Sequence, residues 1–342
     1  MKKRKRIVFL LWNLKETFGC NRMAIEYAKR LSQKGYFVEF FSFLGGELKK
    51  EIKELNPHSF LSLLLRPRRI DTLVFTGYWP VAFLSLLVKA RRKIYFIQGL
   101  DSLKEENLIL KKFAELSYRL PFEKITISRF LKNEVEKYSP KPVWIICYPL
   151  NPIYFSKIDL ARDKSLIPKE RNKKKYKVLS VLSNYSFIKG PDLLAEVVKK
   201  LKERNKKLQF TLVSFEKKPY SNVFDKFISN PPLERLYREY LRSDIFLSTS
   251  RGEGFFLPAL EAMASGCLVV MTDSGGIREY ARDNFNCLLV KKPKEIVEKS
   301  LIETILDNNS LRKKLILNGL VTAKKFTWEK AIYQLEKILE QK

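Results

Sequence analysis

The chain has 342 residues, 45% hydrophobic and 30% charged, with no apolar run near the ~20 residues that a membrane-spanning helix requires. This composition excludes a disordered chain and an integral membrane protein, and the length predicts two domains, each large enough to bury a core. The net charge of +29 splits into +15 over residues 1–150 and +14 over 151–342, which excludes a basic tail as its source and implies attraction to anions at large.

The chain opens with Lys3-Arg4-Lys5-Arg6 and the apolar run Ile7 to Trp12, which imitates a secretory signal. Asn13, Lys15 and Glu16 cut that run short and no small-residue cleavage site follows, so it reads as a first buried parallel strand. Asn21 to Ser32 has helical periodicity with Met23, Tyr27 and Leu31 on one face, and Gly35 ends it. Phe37 to Phe43 is the next strand, His58 reads as a turn residue, and Thr72 to Thr76, Lys93 to Gln98, Lys124 to Ile127 and Val143 to Cys147 follow as strands with helices between them. Ser128 reads as a helix N-cap. This alternation predicts a Rossmann-like domain over 1–150.

From Tyr148-Pro149-Leu150-Asn151-Pro152 to Lys175 the pattern lapses into prolines and lysines, and 151–175 reads as a linker. A second alternation predicts another Rossmann-like domain over 176–325. Its strands are Val178 to Ser183, Phe210 to Ser214, Ile245 to Ser248, Cys267 to Met271 and Asn286 to Val290, with helices near 191–203, 232–242 and 257–265. A last helix lies within 326–342.

Cys20, Cys147, Cys267 and Cys287 form no C-x-x-C pair and His58 is the single histidine, a pattern that suggests neither a zinc site nor a disulfide framework and fits a reducing, cytoplasmic compartment. Asp71, Asp101 and Asp273 stand alone, so no carboxylate pair for a catalytic metal is visible. Arg66-Pro67-Arg68-Arg69 and Lys89-Ala90-Arg91-Arg92-Lys93 are open to two readings. They suit contact with an anionic membrane on its inner face, and equally the solubilising surface of a thermostable protein.

The most informative stretch is Arg251-Gly252-Glu253-Gly254-Phe255-Phe256-Leu257-Pro258-Ala259-Leu260-Glu261. Pro258 suits a first helical turn and Gly266 the residue just past the end, so a helix starts near Leu257. The N–H groups and dipole at that helix N-terminus suit an anion such as a diphosphate. Glu253 and Glu261, separated by seven residues, are acceptor-only groups that match vicinal hydroxyls of a sugar.

Together with Met263-Ala264-Ser265-Gly266, Val269-Val270, Thr272-Asp273, Gly275-Gly276, Ile277, Glu279 and Leu288-Leu289-Val290, this stretch closely resembles the Glu-x7-Glu region of the retaining glycosyltransferases of family 4. The resemblance implies an α/β protein of the GT-B fold, with two Rossmann-like domains facing a cleft and a C-terminal helix, 326–342, crossing back to the first domain. It implies transfer of a sugar from a nucleotide sugar to a glycan or glycolipid acceptor, with neither metal nor cofactor. Glu253 would then contact the donor sugar near the reacting carbon, Glu261 the ribose diol, and the backbone N–H groups of Gly254 and Phe255 the sugar or phosphate. Lys189-Gly190 matches the family's Lys-Gly, whose lysine contacts the diphosphate. Asn184 replaces the family's arginine five residues earlier, so either Lys189 acts with another cation, such as Arg251, or the donor is held differently. Gly19 is the one glycine kept in the loop after the first strand, and reads as a phosphate contact or a plain turn. Gln98 replaces a histidine and suits orienting a hydroxyl rather than acid–base chemistry. Nucleic acid is not an expected partner. The competing readings are a sugar-nucleotide epimerase and an inactive GT-B relative that binds nucleic acid or anionic membrane.

Overall fold

The computed structural model describes residues 5–12, 19–44, 57–65, 69–100, 107–155, 174–183, 186–216 and 220–341. They form two compact units, one of Met1–Tyr148 with Glu329–Lys342 and the other of Pro149–Trp328.

The first unit runs β1 (Arg6–Leu11), α1 (Gly19–Gln33), β2 (Phe37–Ser42), β3 (Pro57–Ser59), α2 (Phe60–Leu65), β4 (Ile70–Thr76), α3 (Pro80–Leu84), β5 (Ala90–Ile97), α4 (Leu108–Arg119), β6 (Glu123–Thr126), α5 (Arg129–Glu136) and β7 (Val143–Ile145). Its sheet is parallel throughout, in the order β3-β2-β1-β4-β5-β6-β7. Parallel strands covered on both faces are predominantly apolar, and all six residues of β1 are buried, Arg6 at its start paired with Glu39 at 2.6 Å. Ser128 caps α5, its Oγ accepting from Leu131 N at 3.2 Å. His58 departs from the turn reading: it lies on β3 at the sheet edge, its ring 5.2 Å from that of Phe41.

The second unit runs β8 (Tyr176–Leu182), α6 (Pro191–Arg204), β9 (Leu208–Ser214), β10 (Lys226–Ser229), α7 (Leu233–Arg242), β11 (Ile245–Ser248), α8 (Leu257–Ala264), β12 (Leu268–Thr272), β13 (Leu288–Val290), α9 (Glu295–Glu298), α10 (Leu301–Asp307) and α11 (Asn309–Ala323). Its parallel sheet has the order β10-β9-β8-β11-β12-β13. The two ends of this unit pair with each other, Leu150 N donating to Phe326 O at 2.9 Å.

The last helix, α12 (Trp328–Glu340), belongs with the first unit. Its final carbonyls, which have no partner within the helix, accept from cations of that unit. Lys5 Nζ donates to Leu339 O at 2.8 Å, and Arg92 Nη1 to the carbonyls of Ile338 and Gln341 at 2.9 Å, while Arg92 Nη2 pairs with Glu123 at 2.6 Å. Lys34 adds a 2.6 Å ion pair with Glu336.

Lys124 is a fully buried lysine in β6, donating to the carbonyls of Leu120 and Phe122 at 2.9 Å. Burial disfavours its charged form and brings its pKa down to about 8. Between that value and the lysine's ordinary one near 10.5 the unfolded chain binds more protons than the folded chain, so Lys124 makes stability rise with pH across that window. The buried phenol of Tyr27, whose pKa is raised by desolvation, acts oppositely above its ordinary value of 10. The stability of the wild type relative to Lys124→Met should therefore increase from about pH 7 to about pH 10. Urea unfolding of both proteins across this range checks it, and a constant difference would show that Lys124 does not titrate there.

Candidate active site

In the second sheet the chain moves outward from β8 to β9 and β10, then returns to place β11 on the other side of β8. Loops leaving the carboxyl ends of β8 and β11 diverge at this reversal, and open α/β sheets bind ligands in such crevices. Lys189 and Gly190 lie in the connection after β8, and Ser250 to Phe256 in the connection after β11. The two loops are stitched together: Arg251 N donates to Ile188 O at 2.8 Å, and Thr249 Oγ1 to Gly190 O at 3.0 Å. Gly190 has φ +60°, and a Cβ there would sit 2.4 Å from Thr249 O, so the approach requires glycine.

Glu253, at 8% exposure, meets Lys189 directly. The ammonium lies 2.8 and 2.7 Å from the two carboxylate oxygens, and Ser250 Oγ donates to Oε1 at 2.7 Å. The same ammonium stands 5.8 Å from the Phe256 ring centroid. A third loop, after β12, holds the glutamate's backbone. Glu253 N donates to Ser274 O at 2.8 Å, and Gly276 N to Glu253 O at 2.9 Å. A Cβ on Gly276 would fall 2.1 Å from Gly254 O.

Phe256 occupies the left-handed region, φ 68° and ψ 70°, a costly conformation for an aromatic residue, and is the N-cap of α8 without a side-chain cap bond. Its carbonyl accepts from Tyr280 Oη at 2.7 Å. Burial first, and the Glu253 charge second, push the Tyr280 phenol well above its ordinary value, so it stays a donor. Phe255 is buried against Tyr280 and Phe326, with ring centroids at 5.5 and 5.7 Å. The loop's turn into α8 is thus fixed by packing, and the helix begins at Leu257 with Pro258 in its first turn. It ends in a Schellman arrangement, Gly266 N bonding to Met263 O and Cys267 N to Ala262 O, with Gly266 at φ +78°.

Glu261, on α8, is half-buried and accepts from Tyr240 Oη at 3.0 Å. Tyr240 is itself buried and held neutral by desolvation, reinforced by the Glu261 charge. Arg251 is engaged elsewhere: its guanidinium pairs with Asp192 at 2.9 and 2.6 Å, donates to Phe187 O at 2.6 Å and stacks 3.9 Å above the Phe187 ring. That fork holds the Asp192 carboxyl below its ordinary value. Gly254 lies between the Glu253 clamp and Phe255. Asn184 falls outside the described residues. Gly19 and Gln98 belong to the first unit. Gly19 is the first residue of α1, and Gln98 donates from Nε2 to Thr76 Oγ1 and accepts at Oε1 from Tyr148. The structure therefore gathers Lys189, Gly190, Glu253, Gly254 and Phe255 at one point, with Ser250 and Tyr280 as supports that the sequence reading did not single out. Ser250, three residues before Glu253, carried the one local signal.

Residues 163–321 match the family model described as Glycosyl transferases group 1. An uncharacterized glycosyltransferase of Methanocaldococcus jannaschii is 33% identical over 305 residues, 84% of this chain and 80% of that relative. The chain is a group 1 glycosyltransferase. This glycosyltransferase has the GT-B fold. It matches Anabaena HepE, solved in complex with UDP-glucose, at a TM-score of 0.76, with 16% identity and coverage of 98% of this chain and 99% of that one. It matches WaaG, a glycosyltransferase involved in lipopolysaccharide biosynthesis, at a TM-score of 0.73, with 14% identity and coverage of 98% and 100%. Among the described residues of the glycosyltransferase, no helix is long and apolar enough to cross a membrane.

Gly276→Ala should cost on the order of 2 kcal/mol and misplace Glu253, because the added methyl meets a backbone carbonyl that cannot swing aside. Denaturant unfolding of this variant beside Gly35→Ala, where φ is +90° but no atom lies within 4 Å of the added methyl, separates steric overlap from conformational strain. Equal losses at the two positions would contradict the close approach.

Proposed function

We propose that the chain moves a sugar from a nucleotide-sugar donor to a glycan or lipid-linked acceptor, as a retaining, metal-independent transferase of family 4. The observation that carries this reading is the Lys189–Glu253 pair at the sheet reversal, beside the N-terminus of α8. Breaking the bond between the anomeric carbon and the diphosphate builds negative charge on the leaving group. A fixed ammonium and a helix N-terminus stabilise such charge without reorganising. Lys189 has three N–H donors and directs two at Glu253, which leaves one for a phosphate oxygen.

In this reading Glu253 accepts from donor-sugar hydroxyls next to the reacting carbon, while Glu261, braced by Tyr240, accepts from the ribose diol. The acceptor hydroxyl bonds to the anomeric carbon on the face the diphosphate leaves, and its proton departs on the released phosphate oxygen. No side-chain nucleophile is needed for that course. Arg251, committed to Asp192, shapes the loop, and the charge on the diphosphate falls to Lys189. The UDP-glucose held by HepE, a structure of the same fold, supports a nucleotide sugar as the donor class.

Thermal unfolding with UDP, GDP, ADP, TDP and their sugars, in EDTA and in magnesium, tests the donor. One nucleotide should stabilise the protein in EDTA, by about 2.7 kcal/mol at ~100 times its dissociation constant, and Glu261→Ala should weaken that effect. Lys189→Ala should lower transfer or donor hydrolysis about 10²–10³-fold. Absence of any nucleotide response, or stabilisation confined to magnesium, would sink the reading.

A further inference from the structure

The two basic clusters of the first half have no part in the donor site. Among the described residues, folding brings Arg69 of the first cluster beside the second, at the amino-terminal ends of β4 and β5, where Ile70 begins one strand and Ala90 the next. Between them is a cavity of about 800 Å³ whose walls include Leu64, Leu65, Leu86 and Leu87. Those leucines are exposed, Leu65 by 75% and Leu87 by 63%, and Leu61 on the same short helix by 65%. Arg69, Lys89, Arg91 and Lys93 line the same cavity. Among the described residues these four cations have no ion-pair partner, whereas Arg92 between them is paired with Glu123. Asp71, the acidic residue nearest in sequence, accepts from Arg6 N at 2.9 Å.

Exposed leucines ringed by unpaired cations form a surface that combines apolar burial with attraction to negative charge. A second copy of the chain is a poor occupant, since a twofold interface would bring the same unpaired cations of both copies together. A glycan is a poor occupant of leucine walls, which offer its hydroxyls no partners. We propose that this face of the first unit docks on an anionic lipid bilayer, the leucines entering the acyl boundary and the cations meeting phosphate headgroups. Lys93 fits this arrangement: half-buried, with its pKa lowered by desolvation, its Nζ donates to Leu86 O at 3.3 Å and so ties the leucine turn to the basic strand.

Co-sedimentation of the full chain with vesicles of phosphatidylcholine alone, and of equal parts phosphatidylcholine and phosphatidylglycerol, reads the proposal. Binding should require phosphatidylglycerol and should fall steeply at ~0.5 M salt, where screening shortens to about 4 Å. Leu65→Glu/Leu87→Glu and Lys89→Glu/Arg91→Glu should each weaken it at least tenfold. Lys324→Glu/Lys325→Glu, exposed residues of the second unit that remove the same net charge, should leave it within about twofold. Equal loss in both charge-reversed pairs would reduce the effect to bulk attraction by a +29 chain and overturn the proposal, as would retained binding in the leucine pair or none in the wild type. A stable self-association of the wild type that the leucine pair abolishes would overturn it in favour of a second copy. The nucleotide response of the donor site is a separate readout, so each reading can fail alone.

Discussion

The backbone clamp on Glu253 governs the rest of the site. Its N–H bonds to Ser274 and its carbonyl receives Gly276, so the loop after β11 is fastened to the loop after β12 at the residue that bears the carboxylate. The side chain then has little freedom, and Lys189 and Ser250 close on it from the other side. Removing two opposite charges from water is costly unless their remaining hydrogen bonds are met. Here the carboxylate accepts three hydrogen bonds, and the lysine keeps 20% side-chain exposure. The left-handed Phe256 is tolerated for the same reason: Tyr280 holds its carbonyl, and the ring stays buried between Phe246 and the Lys189 ammonium.

Much of this was legible in the sequence because it is local. The start of α8 at Leu257 follows from Pro258 and the glycine punctuation, and the long apolar strands follow from parallel pairing with both faces covered. The short edge strands were not legible. Pro57–Ser59 and Lys226–Ser229 have three and four residues, too few for alternation to be told from a turn, and they exist because a neighbouring strand offers them hydrogen bonds. Nor was the direct meeting of Lys189 with Glu253, 64 residues apart, or the diversion of Arg251 to Asp192, 59 residues away. Both arise from the order of strands, which places the loops after β8 and β11 side by side.

Charge is spread over the chain, but the structure treats individual cations differently. Lys124 is buried on carbonyl oxygens, Arg92 is divided between a carboxylate and a helix end, and Lys189 pairs with the Glu253 carboxylate. Those at Arg69, Lys89 and Arg91 remain exposed beside leucines. The net value of +29 therefore says less about partners than the identity of the cations that folding leaves unpaired.

The placement of α12 bears on synthesis. Lys5 near one end of the chain and Arg92 in the middle of the first sheet donate to carbonyls at 338–341, which leave the ribosome after every strand of the second unit has emerged. Domains generally fold in order as they appear, but this first unit lacks one of its covering helices until the second has been made. While translation runs, the surface beneath α12, where Ala331, Ile332, Leu335 and Leu339 later become buried, stays open to water and to chaperones. Completion of the first unit therefore waits on synthesis of the second.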